Sequence, residues 1–170
     1  MASMGMSQTT RPQVSSGQAI LTGWLLCGVL DITAACVQAW IQAGRTPAML
    51  LKGIASALWG RAALDAGTGM AVIGLAMHFS VALTATLVFY ALGRRVAFLR
   101  TAPLLIVGPL YGVVVFATMN YGTLPVLSWV RSLYLATPPR WPGSMSWPQL
   151  YIHMICVGLP IAWGVRRART

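Results

Sequence analysis

The chain has almost no acid: in 170 residues its carboxylate side chains are Asp31 and Asp65, against 12 Lys and Arg. Charged residues of both signs make up 8% of it, where a soluble domain carries about 25%. A chain this poor in charge cannot cover itself with a hydrated surface, so a water-soluble globular domain is excluded. Histidine is scarce too, with His78 and His153 alone, and the three cysteines, Cys27, Cys36 and Cys156, all fall in apolar segments without CxxC spacing. That pattern is of small buried hydrophobes, with neither a disulfide nor a metal site expected. Paired carboxylates, a nucleophile beside its base and a Gly-rich phosphate loop are all missing, and with them the usual signs of an enzyme.

What is present is length of apolar chain. Hydrophobic residues are 57% of the sequence, and stretches of the roughly 20 residues needed to cross a bilayer as a helix recur four times. The spacing predicts an all-α, polytopic membrane protein: one four-helix bundle over residues 19–167, with spans at about 19–41, 68–92, 102–124 and 147–165. Residues 1–18 read as a polar tail and 168–170 as a basic end. The start, "MASMGMSQTTRPQVSSGQ", has no signal-peptide layout, Asp31 interrupts the apolar run behind it, and "TAAC" lacks the leucine of a lipoprotein box. The first run is therefore expected to be an uncleaved span.

The net charge of +10 invites a nucleic-acid reading, but the basic residues sit at the ends of apolar runs rather than along a helix face. Nucleic acid is not an expected partner. Arg94, Arg95, Arg100, Arg166 and Arg167 read instead as topology determinants that meet lipid headgroups. Counting Lys and Arg near the span ends places both termini, and the dense "GRRVAFLR" turn, on the cytoplasmic side of a bacterial inner membrane.

Both outer loops are too apolar to be simple linkers. In "RTPAMLLKGIASALWGRAALDAG", Thr46 can cap a helix that Pro47 begins. Leu51, Ile54, Ala55, Leu58 and Ala62 recur at helical spacing, so the segment 46–64 is expected to lie as an interfacial helix, with a re-entrant hairpin as the alternative. The second loop carries Trp129, Trp141 and Trp147, aromatics that prefer the headgroup level. It is expected to hold a second interfacial segment around a stiff "TPPRWP" tip, so that the two loops form an outer lid. The order span, interfacial segment, span occurs twice, with "LCGVL" echoed by "LYGVV".

A charged group at the centre of a span costs about 2.5 to 3.5 kcal/mol on insertion scales, so an intramembrane ionisable residue is a functional hypothesis. At about 1.5 Å of rise per residue, Asp31 in "GVLDITAAC" and His78 in "GLAMHFSVAL" reach similar depths near the midplane, where they could pair. Asn120 and His153 fall in a second layer nearer the outer side. Stacked polar layers suit a proton or ion path, while a histidine sharing a proton with a carboxylate also serves as interhelical glue. Two histidines in a four-helix bundle also raise haem b held from both sides, although the differing depths of His78 and His153 speak against it; no cofactor is expected.

Close helix contact is signalled by Gly108 and Gly112 in "GPLYG" and by Ala76, Ser80 and Thr84 on one face of the second span. Pro109 and Pro160 are placed to kink their helices. Taken together, "GVLDITAA", "GIASALWGRAA", "GLAMHFSVAL", "YGVVVFATMNYGTLPV" and "IHMICVGLPIA" resemble an uncharacterised family of small four-span bacterial inner-membrane proteins. More distantly, the order of histidine-bearing and small-residue spans looks like the YagU-type inner-membrane proteins. The resemblance implies location and architecture, and lends no functional residue. The leading expectation is a non-catalytic membrane subunit or scaffold, packing against itself as a homo-oligomer or against other membrane subunits of a respiratory, photosynthetic or transport assembly. The alternative is a small oligomeric channel or carrier for protons or a small solute, working through Asp31 and His78, and the third is a haem b protein.

Overall fold

The computed structural model describes residues 14–139 and 145–168. The regular elements among them are helical: α1 (Ser16–Ala43), α2 (Pro47–Trp59), α3 (Ala62–Asp65), α4 (Thr68–Arg95), α5 (Ala97–Thr101), α6 (Leu104–Thr118), α7 (Leu124–Leu135), α8 (Trp147–Ile152) and α9 (Leu159–Val165). Two π-helical segments, Met119–Thr123 and His153–Gly158, join α6 to α7 and α8 to α9 without a break. Four continuous helices, Ser16–Ala43, Thr68–Arg95, Leu104–Leu135 and Trp147–Val165, are long and apolar enough to span a bilayer. The chain is an all-α, multi-pass membrane protein. Arg11, Arg140, Trp141, Arg169 and most of the N-terminal tail lie outside the described residues.

Local chemistry sets the helix starts. Ser15 and Gln18 form a capping box at α1: the Ser15 hydroxyl accepts from the Gln18 amide at 3.3 Å, and the Gln18 side chain accepts from the Ser15 amide at 3.1 Å. Thr46 caps α2 by accepting from the Met49 amide at 3.3 Å, with Pro47 in the first turn, where its missing N–H costs nothing.

The third span departs from its expected end at Leu124. It runs on to Leu135, a helix of 32 residues, so "VLSWVRSLYL" continues the same helix instead of forming a separate one. Pro125, which would ordinarily stop an α-helix, is tolerated because the helix widens just before it: the Leu124 amide donates to Met119, five residues back. The expected duplication of span, interfacial segment and span therefore fails in its second half. Pro160 sits in the same relation to the second π segment, while Pro109 lies inside α6.

Packing is close where glycines meet. A Cβ on Gly108 would come within 2.9 Å of the Leu159 Cα, and one on Gly112 within 2.5 Å of the Met154 Cα. The GxxxG face thus closes α6 against the fourth span within one chain. Gly158 meets the same two glycines from the other side, and Gly164 lies against Gly23, bringing α1 onto α9. Bilayer lipid supplies no hydrophobic drive between helices, so such backbone proximity is what van der Waals packing requires.

Ala76, Ser80 and Thr84 behave otherwise: all three are exposed, and the two hydroxyls donate to carbonyls of their own helix, Ser80 to Ala76 at 2.8 Å and Thr84 to Ser80 at 2.9 Å. Ser80 and Thr84 line an apolar groove between α4 and α6 with Val81, Tyr111 and Val115, while α1 meets α4 on the Ala82–Thr86 side. At the far end Arg94, Arg95, Arg100 and Arg167 are exposed, and the Arg166 Nε donates to the Leu99 carbonyl at 2.6 Å. The Val14 amide donates to the Arg167 carbonyl at 3.2 Å, so the two ends of the described chain meet there.

Candidate functional site: a polar cavity between the spans

Register between α1 and α4 is set by a reciprocal lock around Phe79. Gly28 has no side chain, and the Phe79 ring occupies the space a Cβ would need. The Trp24 Nε1 donates to the Phe79 carbonyl at 2.8 Å, and Trp24 and His78 both stand edge-on to the Phe79 ring, with centroids 6.1 and 5.4 Å away. Bared by the missing side chain, the Gly28 carbonyl accepts from His78 Nε2 at 2.9 Å. This one bond fixes both the ring's orientation and its tautomer, since a carbonyl can only accept.

With the proton on Nε2, His78 turns Nδ1 toward Asp31, one turn beyond Gly28 on α1, and the Nδ1–Oδ2 separation is 3.9 Å. That is ion-pair distance, too long for a direct hydrogen bond. A neutral imidazole here would point its lone pair at a carboxylate. Asp31 and His78 thus face each other across the seam between α1 and α4.

A cavity of about 240 Å³ opens beside it, lined by Asp31 and His78, by His153 from the second π segment, and by Gly53, Ile54 and Ala57 from α2. The His153 Nδ1 donates to the Gln149 carbonyl at 2.8 Å, which leaves Nε2 as an acceptor, and its ring stands edge-on to Phe116 at 5.5 Å. Three proton-bearing groups thus share one mostly apolar chamber. α2 belongs to its wall: the Gly74 position on α4 admits the Leu51 backbone, and Ala55 is fully buried between the helices.

Asn120, expected beside His153 in an outer layer, does not line the cavity. Its Nδ2 donates to the Phe116 carbonyl at 2.9 Å, four residues back, where α6 passes into the first π segment. A short side chain that can bond its own backbone does so in preference to reaching across the bundle. Haem b also fits poorly: a bis-histidine iron needs a free ring nitrogen from each residue, and His78 commits Nε2 to a carbonyl and turns Nδ1 to Asp31.

Sequence reasoning missed Arg131. By sequence it falls in a loop, yet on the continued helix α7 it is buried, with Nη1 donating to the Ser56 carbonyl at 3.2 Å and Nη2 to the Ser128 hydroxyl at 3.3 Å. Tyr134 adds a bond from its hydroxyl to the Leu58 carbonyl, so α7 holds the backbone of α2 at two points. The signal that could have found it is helical spacing through Ser128, Arg131 and Leu135, hidden by the expected end of the third span at Leu124. The chain matches no protein-family model, and no curated protein or solved structure matches it either.

Proposed function

We propose that this chain is a non-catalytic carrier or small oligomeric channel of the bacterial inner membrane, and that Asp31 and His78 are the groups that hold the proton, or bind the small proton-bearing solute, that it moves. The observation that carries the reading is the shared cavity: a carboxylate and two imidazoles face one chamber inside a bundle that contains few other polar groups. Intramembrane ionisable residues are costly and serve as proton relays where they line a cavity. Both termini are assigned to the cytoplasm, supported by the arginines gathered at the end where Val14 meets Arg167.

The test is flux through vesicles reconstituted with wild type or with Asp31→Asn, followed with an internal pH-sensitive dye. Asn keeps the shape of the side chain and cannot exchange a proton, so flux should fall to the level of empty vesicles while helical content is unchanged. Undiminished flux in the variant, or none in the wild type, sinks the relay. The second reading then stands, a subunit or scaffold in a membrane assembly, supported by the exposed small residues Ala76, Ser80 and Thr84 on α4.

A further inference from the structure

Away from the inner cavity, at the α2–α7 end of the bundle, the chain buries a guanidinium that has no counterion among the described residues. Arg131 is 8% exposed. Two of its guanidinium nitrogens are used, on the Ser56 carbonyl and the Ser128 hydroxyl, while its Nε is buried without a hydrogen-bond partner. No carboxylate among the described residues pairs with it: Asp31 faces His78, and Asp65 forms no ion pair. A buried, unpaired cation is expensive, and a role as a strut between α7 and α2 would leave both its charge and its Nε uncompensated.

Beside it lies a cleft of about 400 Å³, lined by Ser56, Gly60, Arg61, Arg131, Thr137 and Pro138 among others. Two guanidinium groups and two hydroxyl side chains therefore border one opening that contains no acidic side chain. Guanidinium presents N–H donors in a fork that matches the oxygens of phosphate or carboxylate, and it does so best where water is excluded. At about 1.5 Å of rise per residue, Arg131 lies roughly 40 Å along the third span from Leu104, beyond the hydrocarbon thickness of about 30 Å. The exposed Trp59, Trp129 and Tyr134 on the same two helices fit the headgroup level as well.

We propose that this cleft is an oxyanion site for a phosphate group, with Arg131 as the buried anchor, its Nε directed to a phosphate oxygen, and Arg61 as the second cation closing over the ligand from the rim. The phosphate can belong to a free phosphate compound or to the headgroup of an anionic phospholipid, and the site then ties the α2–α7 junction to whichever it binds.

The experiment uses the purified full chain in neutral detergent with inorganic phosphate as probe. In parallel it uses nanodiscs of phosphatidylcholine with and without phosphatidylglycerol, with lipid retention read by native mass spectrometry. Saturable phosphate binding at one per chain identifies a free oxyanion as ligand; selective retention of phosphatidylglycerol without phosphate binding identifies a headgroup. In either case Arg61→Gln, on an exposed side chain, should weaken binding about tenfold or more. Arg131→Lys, which keeps the charge but loses the fork, should weaken it too, and if that variant fails to fold, Arg61→Gln decides alone. Absence of both kinds of binding in the wild type, or equal binding in a folded Arg61→Gln variant, overturns the proposal.

Discussion

A Cβ on Gly158 would lie 2.6 Å from the amide nitrogen of Gly112 and against the Gly108 carbonyl, so three glycines on two spans occupy space that no other side chain could share. The atoms in the way are backbone, which cannot swing aside like a flexible side chain, and inserting bulk into a packed core already costs about 1 to 3 kcal/mol where side chains alone must move. Gly112→Leu is therefore expected to lose the folded bundle, read as aggregation in size-exclusion chromatography in detergent. Ser80→Leu, at an exposed position bordering the groove between α4 and α6, should leave a folded protein with an unchanged melting temperature. A well-folded Gly112→Leu variant would show that the contact is not needed to close the bundle. In the sequence both positions belong to small-residue motifs of the same quality; which face meets a neighbour depends on how the other helices are arranged.

At the scale of elements, both π segments end directly before a Leu-Pro pair, Leu124–Pro125 and Leu159–Pro160. Proline has no N–H to give and its ring crowds the carbonyl four residues back, and a local widening of the helix accommodates both. The widening inserts roughly one residue, which turns the downstream part of the helix by about 100°. In the third span the stretch beyond it, α7, packs on α2, where Arg131 reaches the Ser56 carbonyl, while Gly112 before it lies against the fourth span. In the fourth it sets the phase of His153 relative to α9. Pro160→Ala removes the reason for the second widening, so His153 should rotate off the cavity. The expected result is a changed His153 ring signal in nitrogen NMR together with reduced vesicle flux; an unchanged ring signal and full flux would mean that packing alone maintains the π geometry.

For the whole molecule, the density of arginine distinguishes the two ends. Arg94, Arg95, Arg100, Arg166 and Arg167 cluster where Val14 meets the last span, while Trp59, Trp129 and Trp147 are exposed on the helices of the opposite end. With Cys27, Cys36 and Cys156 replaced by alanine, single cysteines at Ala97 and Thr137 report the orientation. In inside-out vesicles a membrane-impermeant maleimide should label the first and spare the second; the reverse pattern would overturn the cytoplasmic assignment of the termini.

Membrane class, span number and the all-α architecture were legible in the chain because they depend on composition and the length of apolar runs, quantities that add along a sequence without regard to partners. That Asp31 and His78 come level with each other was legible for the same reason, since helical rise is a constant. Tertiary structure decided the rest. Which nitrogen of His78 is free depends on the bare Gly28 carbonyl of another helix, and Asn120 could bond its own backbone or a neighbour with equal local chemistry. Arg131 is buried because the third span, past a π segment that ends eight residues upstream, continues as α7 against α2, and α2 reaches into the cavity wall because Gly74 lets its backbone approach. These are contacts between segments far apart in sequence, fixed by the way the four spans pack.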